Sequence, residues 1–127
     1  MTQIDLVALD ATAQAEMVRS RVISARQLVE ATLQRIDEIE PMVNAFRVVT
    51  GEQALTDADG IDSLTDAELA ALPLAGVPVA IKDDTDVAGQ STMWGSAIDR
   101  GVSDHDAEVV RRLRQAGATI IGKTNVP

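Results

Sequence analysis

Two lysines stand apart in a chain that otherwise takes its positive charge from arginine: of eleven basic side chains, only Lys82 and Lys123 carry an ammonium. The difference is chemical. A guanidinium keeps its proton in any protein environment, whereas a desolvated lysine can be brought to a pKa at which it serves as a base. Lys82 closes the apolar run at 77–81 and is followed by Asp83, Asp84 and Asp86 in PVAIKDDTD. Lys123 lies in GATIIGKT, residues 117–124, which matches the phosphate-loop pattern G-x-x-x-x-G-K-[ST]. A phosphate loop needs a strand before its first glycine, a nest of backbone N–H groups between the glycines and a helix starting at Lys-Thr. Here a helical pattern precedes Gly117, β-branched residues fill the interval and Asn125-Val126-Pro127 is a poor helix start, so a nucleotide-binding function is disfavoured.

The elements that must position these lysines can be read from periodicity. Ile4, Val7, Ala11, Ala15 and Val18 predict one amphipathic helix over 4–20. Ser24 with Gln27 forms a capping box for a second, whose buried stripe is Leu28, Thr32, Ile36 and Ile39 and which closes at Pro41. The two pair as a helical hairpin. Residues 45–50, AFRVVT, read as a short strand, and EQALTDADGIDS as an acidic surface connection. A capping box at Thr65 and Glu68 opens a short helix ending at Leu72-Pro73. The apolar run at 77–81 is a buried strand, with Pro78 at an edge. A Gly-punctuated loop then leads to a helix near Asp104-His105-Asp106 that ends at Gly117, and 118–121 is a second buried strand. Strand, helix, strand makes a βαβ unit, with parallel strands and both lysines at the carboxyl edge where open α/β sheets bind ligands. The expected class is α/β: a helical hairpin (1–41), a connection (42–72) and a lysine-bearing βαβ unit (73–127) of a larger mixed sheet, all within a single domain.

Composition narrows the functions available. At 127 residues and 46% apolar content the chain suits one modest core. It has no cysteine and only one histidine, which excludes a thiolate nucleophile and makes metal catalysis improbable; neither metal nor cofactor is expected. A net charge of −9 with one Trp, one Phe and no Tyr argues against nucleic acid contact. The N-terminus lacks a leader pattern and no stretch matches a membrane span, so no membrane partner and a cytoplasmic location are expected.

The segment from Pro73 onward, PLAGVPVAIKDDTDVAG followed by GS and DAEVVRRLRQAGATIIGKTN, resembles the amidase-signature family of serine hydrolases in order and spacing. The preceding helices with Asn44-Ala45-Phe46 are similar to that family's N-terminal region. The resemblance implies a Ser-Ser-Lys triad, in which a lysine deprotonates a bridging serine held on a cis peptide and that serine activates the nucleophile. Its lysine is the one in the I-K-D motif, here Lys82, and the implied role is general base. Burial at the end of an apolar strand would lower its pKa as the role requires, provided that Asp83, Asp84 and Asp86 face away to cap turns or to pair with arginines and backbone N–H groups. The family's two serines lie in a Gly/Ser-rich stretch after GKTN, and no serine of this chain sits in such a cluster. The chain is therefore expected to be the N-terminal portion of an amidase, inactive alone, exposing strand edges and prone to self-association or to pairing with the missing C-terminal part. The intact protein would take a small-molecule amide. The alternatives are a fragment like the A-subunit of a glutamyl-tRNA amidotransferase and a non-catalytic remnant or interaction module.

Other conspicuous residues have structural readings. Ser96 is the least implausible substitute nucleophile, but a loop serine more often bonds its own backbone. Lys123 is expected to reach solvent or a carboxylate. Thr124 and Asn125 tie down a turn, and His105 is an exposed first-turn residue. Met93 and Trp94 line an acyl pocket or pack their loop. Arg111, Arg112 and Arg114 pair with Glu108 and neighbouring carboxylates.

Overall fold

A computed structural model describes residues 4–127; of the helix expected over 4–20 and the hairpin expected over 1–41, all but positions 1–3 fall within it. Among the described residues, five α-helices, α1 (Ala11–Arg19), α2 (Ala25–Val43), α3 (Gly51–Asp62), α4 (Asp66–Ala70) and α5 (Glu108–Gln115), accompany three strands, β1 (Phe46–Val49), β2 (Pro78–Lys82) and β3 (Thr119–Thr124). The strands form one mixed sheet in the order β1-β3-β2. β2 and β3 run parallel, with α5 between them in sequence, and β1 joins the other side of β3 antiparallel. β3 is thus central. It reads TIIGKT without polar alternation because Thr119 through Lys123 are all buried.

Three local expectations are corrected. The helix expected over 4–20 is broken: Leu6–Ala8 forms a 3-10 turn, and Asp10 caps α1 by accepting the Ala13 N–H at 2.8 Å. α2 passes through Pro41 to Val43. In this last turn the missing proline N–H costs a single bond, and Asn44, in the left-handed region, closes the turn by donating to the Glu40 carbonyl at 2.8 Å. The Glu40 carboxylate then accepts the N–H groups of Ala45 and Phe46, steering the chain into β1.

The largest correction is α3, which occupies the stretch read as a surface connection. Its apolar residues Ala54, Leu55, Ala58 and Ile61 fall on one face and pack into the main core with Leu28, Val29, Ile36 and Ile121. Its acidic residues, turn-formers in isolation, stabilise its other contacts. Asp62 accepts the first N–H groups of α2, from Ala25 at 2.7 Å and Arg26 at 3.0 Å, and Asp59 pairs with Arg26. α2 accordingly packs chiefly against α3 rather than against α1, which touches α4.

On the other side of the sheet Ile81, Val87, Val110 and Ile120 make a second, smaller core beneath α5. Gly117, at φ +101°, ends α5 and brings the chain against Ala75 before β3 begins. Gly122 serves a different purpose. A Cβ there would stand 2.5 Å from the Val48 carbonyl oxygen and 2.8 Å from the Phe46 ring, where the β1–β3 register shifts. Gly122→Ala is expected to destabilise the chain by about 1–3 kcal/mol through overpacking. Urea denaturation would show this as a lowered midpoint at unchanged slope.

Candidate active site

Lys82 is the last residue of β2 and pairs in register with Thr124, while Ile81 pairs with Lys123. Both lysines therefore stand at the carboxyl edge of the parallel pair, as the βαβ reading required. Their environments are opposite. The Lys82 side chain is 54% exposed and that of Lys123 is 0% exposed. β2 is an edge strand of the sheet with only Ile81 buried, so the end of an apolar run does not desolvate Lys82 here, contrary to the expectation of burial. Its ammonium lies 3.3 Å from Asp84, an exposed pair of small energetic value. Asp84 is thus the one aspartate of the three that does not face away. Its carboxyl is held below the ordinary range chiefly by the Thr85 hydroxyl, with burial opposing and Lys82 adding to the effect.

Asp83 turns inward. It is 1% exposed and accepts Arg47 Nε at 2.5 Å and Nη2 at 3.1 Å, Lys123 Nζ at 3.0 Å and the Met93 N–H at 3.3 Å. Burial alone would raise this carboxyl, but the bonds from Arg47 and Lys123, helped by Met93, bring it below its ordinary value. Lys123 completes its own shell with the Ser91 carbonyl at 3.0 Å and the Thr92 hydroxyl at 2.8 Å. The Thr92 hydroxyl in turn donates to Asp86 at 2.6 Å, so the third aspartate faces away as expected. Arg47 also donates to the Ser91 carbonyl at 2.6 Å. The result is a buried cluster of two cations and one anion. The expected carboxylate partner of Lys123 is present; the solvent-facing option is not.

The partnership of Arg47 with Asp83 joins β1 to the end of β2 across 36 positions, and no local pattern announces it. An arginine on a short strand was the available signal.

The remaining candidates stay apart from Lys82. Ser96 Oγ donates to the Met93 carbonyl at 2.9 Å and accepts the Ile98 N–H, the self-bonded loop geometry expected of it. His105 is exposed beside Asp104 at 2.9 Å, and that hydrogen bond raises its pKa. Trp94 is exposed at φ +55°, so its ring does not pack the loop onto the domain. Asn125 ties β3 to the end of α2 by donating to the Asn44 carbonyl at 2.8 Å. Arg111 and Arg112 pair with Glu108, whose carboxyl they lower to about 2, while Arg114 bridges Asp57 of α3 and Asp106. Residues 119–124 of the phosphate-loop pattern are strand β3, which leaves no nest between the glycines. Among the described residues, no cluster of three metal-ligating side chains occurs and no helix is long and apolar enough to cross a membrane.

The site is thus a parallel βαβ unit with an exposed lysine at its carboxyl edge, followed by an aspartate drawn inward. The chain belongs to the amidase family, whose description matches residues 27–127. It is 48% identical over its full length to the protein named putative amidase AmiB2 of Mycobacterium tuberculosis, and covers 27% of that protein. It is 41% identical over 123 residues to the A-subunit of the glutamyl-tRNA(Gln) amidotransferase of Acidothermus cellulolyticus, covering 96% of this chain and 24% of that one. Among solved structures it is similar to 6-aminohexanoate cyclic dimer hydrolase, with 38% identity, a TM-score of 0.79 and coverage of 98% of this chain and 24% of the other. The peptide amidase of Stenotrophomonas maltophilia gives a TM-score of 0.84 at 31% identity, over 94% of this chain and 25% of its own. The chain therefore spans about a quarter of the length of the relatives it matches, and its fold is a truncated part of theirs.

Proposed function

We propose that Lys82 is the general base of an amide-hydrolysing centre whose bridging and nucleophilic serines are supplied from outside these 127 residues. The reaction converts a carboxylic amide to the acid and ammonia or an amine through an acyl-enzyme, without a cofactor. The observation that carries this reading is the contrast between the lysines: Lys123 is spent on a buried ion pair, whereas Lys82 stands at the same sheet edge with its ammonium outward. A serine-bearing segment laid over that edge would cover Lys82 and withdraw it from water, the change that favours a neutral amine.

The likeness to the amidotransferase supports a second reading, in which the released nitrogen is handed to glutamyl-tRNA rather than to water. The two differ in whether free ammonia accumulates without an acceptor.

The 127-residue chain alone is expected to leave an aryl amide intact and to resist labelling by a fluorophosphonate, which traps activated serines. Joined to the remaining length of AmiB2, it should hydrolyse the amide and take the label. Labelling of the isolated chain would overturn the division of the triad and direct attention to Ser96.

A further inference from the structure

The cluster behind Lys82 is an odd use of charge if stability were its only purpose. A fully buried ammonium and a nearly buried carboxylate are costly to desolvate, and well-packed apolar residues of similar volume commonly do as well or better. What such a cluster supplies is a fixed geometry. Lys82 needs one from somewhere, because its own side chain is half exposed and holds a single surface partner.

The backbone around Lys82 is tied at three points: the Asp83 N–H donates to the Thr124 carbonyl at 2.9 Å, the Trp94 N–H to the Asp83 carbonyl at 3.1 Å, and the Thr85 N–H to the Lys82 carbonyl at 3.1 Å. Asp83 is common to two of these, and its side chain is gripped by Arg47 and Lys123 from the buried side. The same two cations share the Ser91 carbonyl, so they fasten the returning loop and the end of β2 to one another. They also occupy the Asp83 charge, which keeps it from competing for the neighbouring ammonium.

We propose that Arg47 and Lys123 are positioning residues for Lys82: by clamping Asp83 and the Ser91–Trp94 loop from beneath, they fix the end of β2 and aim the base. This deepens, and rests on, the reading of Lys82 as the base. Arg47 is the partner that a methionine can replace with the least disturbance of the core, since its side chain is 27% exposed.

Amide hydrogen exchange of the 127-residue chain tests the clamp directly. In Arg47→Met, the N–H groups of Asp83, Thr85 and Trp94 are expected to exchange at least about tenfold faster, while those of Leu28, Val29 and Val110 keep their rates; Arg47→Lys should restore part of the protection. Unchanged exchange at 83–94, or equal acceleration at every amide, would overturn the proposal. In the protein completed with AmiB2, Arg47→Met should lower kcat about 100-fold with KM little changed, the scale of a misplaced catalytic group. A fall in kcat no larger than the loss of folded protein would also overturn it. Lys82→Ala in the same protein separates the two ideas: retained turnover would refute the base itself, whatever the exchange rates show.

Discussion

Asp83→Ala is expected to lower the stability of the chain by about 3–5 kcal/mol, a large fraction of what a domain of this size possesses. The substitution removes the anion between Arg47 and Lys123 and leaves a wholly buried ammonium facing a guanidinium at close range. It also opens the Met93 N–H. Lys123 keeps only the neutral oxygens of Ser91 and Thr92. Adding Lys123→Met to Asp83→Ala should recover part of the loss, because the uncompensated charge is then gone. Such recovery is the non-additivity expected of residues in one network.

The same carboxylate gives the stability a defined pH dependence. Its folded pKa lies below the ordinary value of 3.8, so its contribution is fully present above that value and is lost as pH falls through the lower, folded pKa. Urea denaturation should therefore show the wild type losing its advantage over Asp83→Asn as pH falls below about 4. Curves that stay parallel from neutral to acid pH would mean that Asp83 ionisation contributes nothing to folding.

The sequence spoke most clearly where local chemistry and tertiary role coincide. The capping boxes at Ser24–Gln27 and Thr65–Glu68 are both formed, because each satisfies orphan N–H groups within a single turn. β3 was legible because a parallel strand buried on both faces must be apolar, and α5 because Gly117 supplies the positive φ that ends a helix; β2 lies where its apolar run put it, but of its residues only Ile81 is buried, not the whole strand as expected. α3 was hidden for the opposite reason. Its apolar face is built from alanines as much as from larger residues, and its acidic residues, which favour turns in isolation, are matched by Arg26, Arg114 and the first turn of α2, all remote in sequence. At the site, the sheet edge and its two lysines were readable, but which one the fold would bury was not. Lys82 and Lys123 both follow apolar runs; what separates them is that β3 is the central strand and β2 the outer one. That order depends on β1, whose pairing with β3 joins residues far apart in the chain, Phe46 with Thr124 and Val49 with Gly122.

The second large effect is on chemistry. In the completed protein, Lys82→Ala should reduce kcat/KM for a simple aryl amide by about 10²- to 10⁴-fold, the range that one proton-transferring group contributes. In the isolated 127-residue chain, where the Lys82 side chain is half exposed and its Asp84 contact is a surface pair, the same substitution should scarcely move the melting temperature. Alanine alone would not show why a lysine is needed, because it removes the charge, the reach and the proton acceptor together. Lys82→Arg is the sharper variant. It keeps the positive charge and roughly the length, but its guanidinium cannot shed a proton near neutral pH. If Lys82 acts as a base, the arginine variant should be about as inactive as the alanine one. If it retained most of the activity, Lys82 would be a fixed positive charge that holds the substrate or the acyl intermediate, and the proton would have to leave by another route.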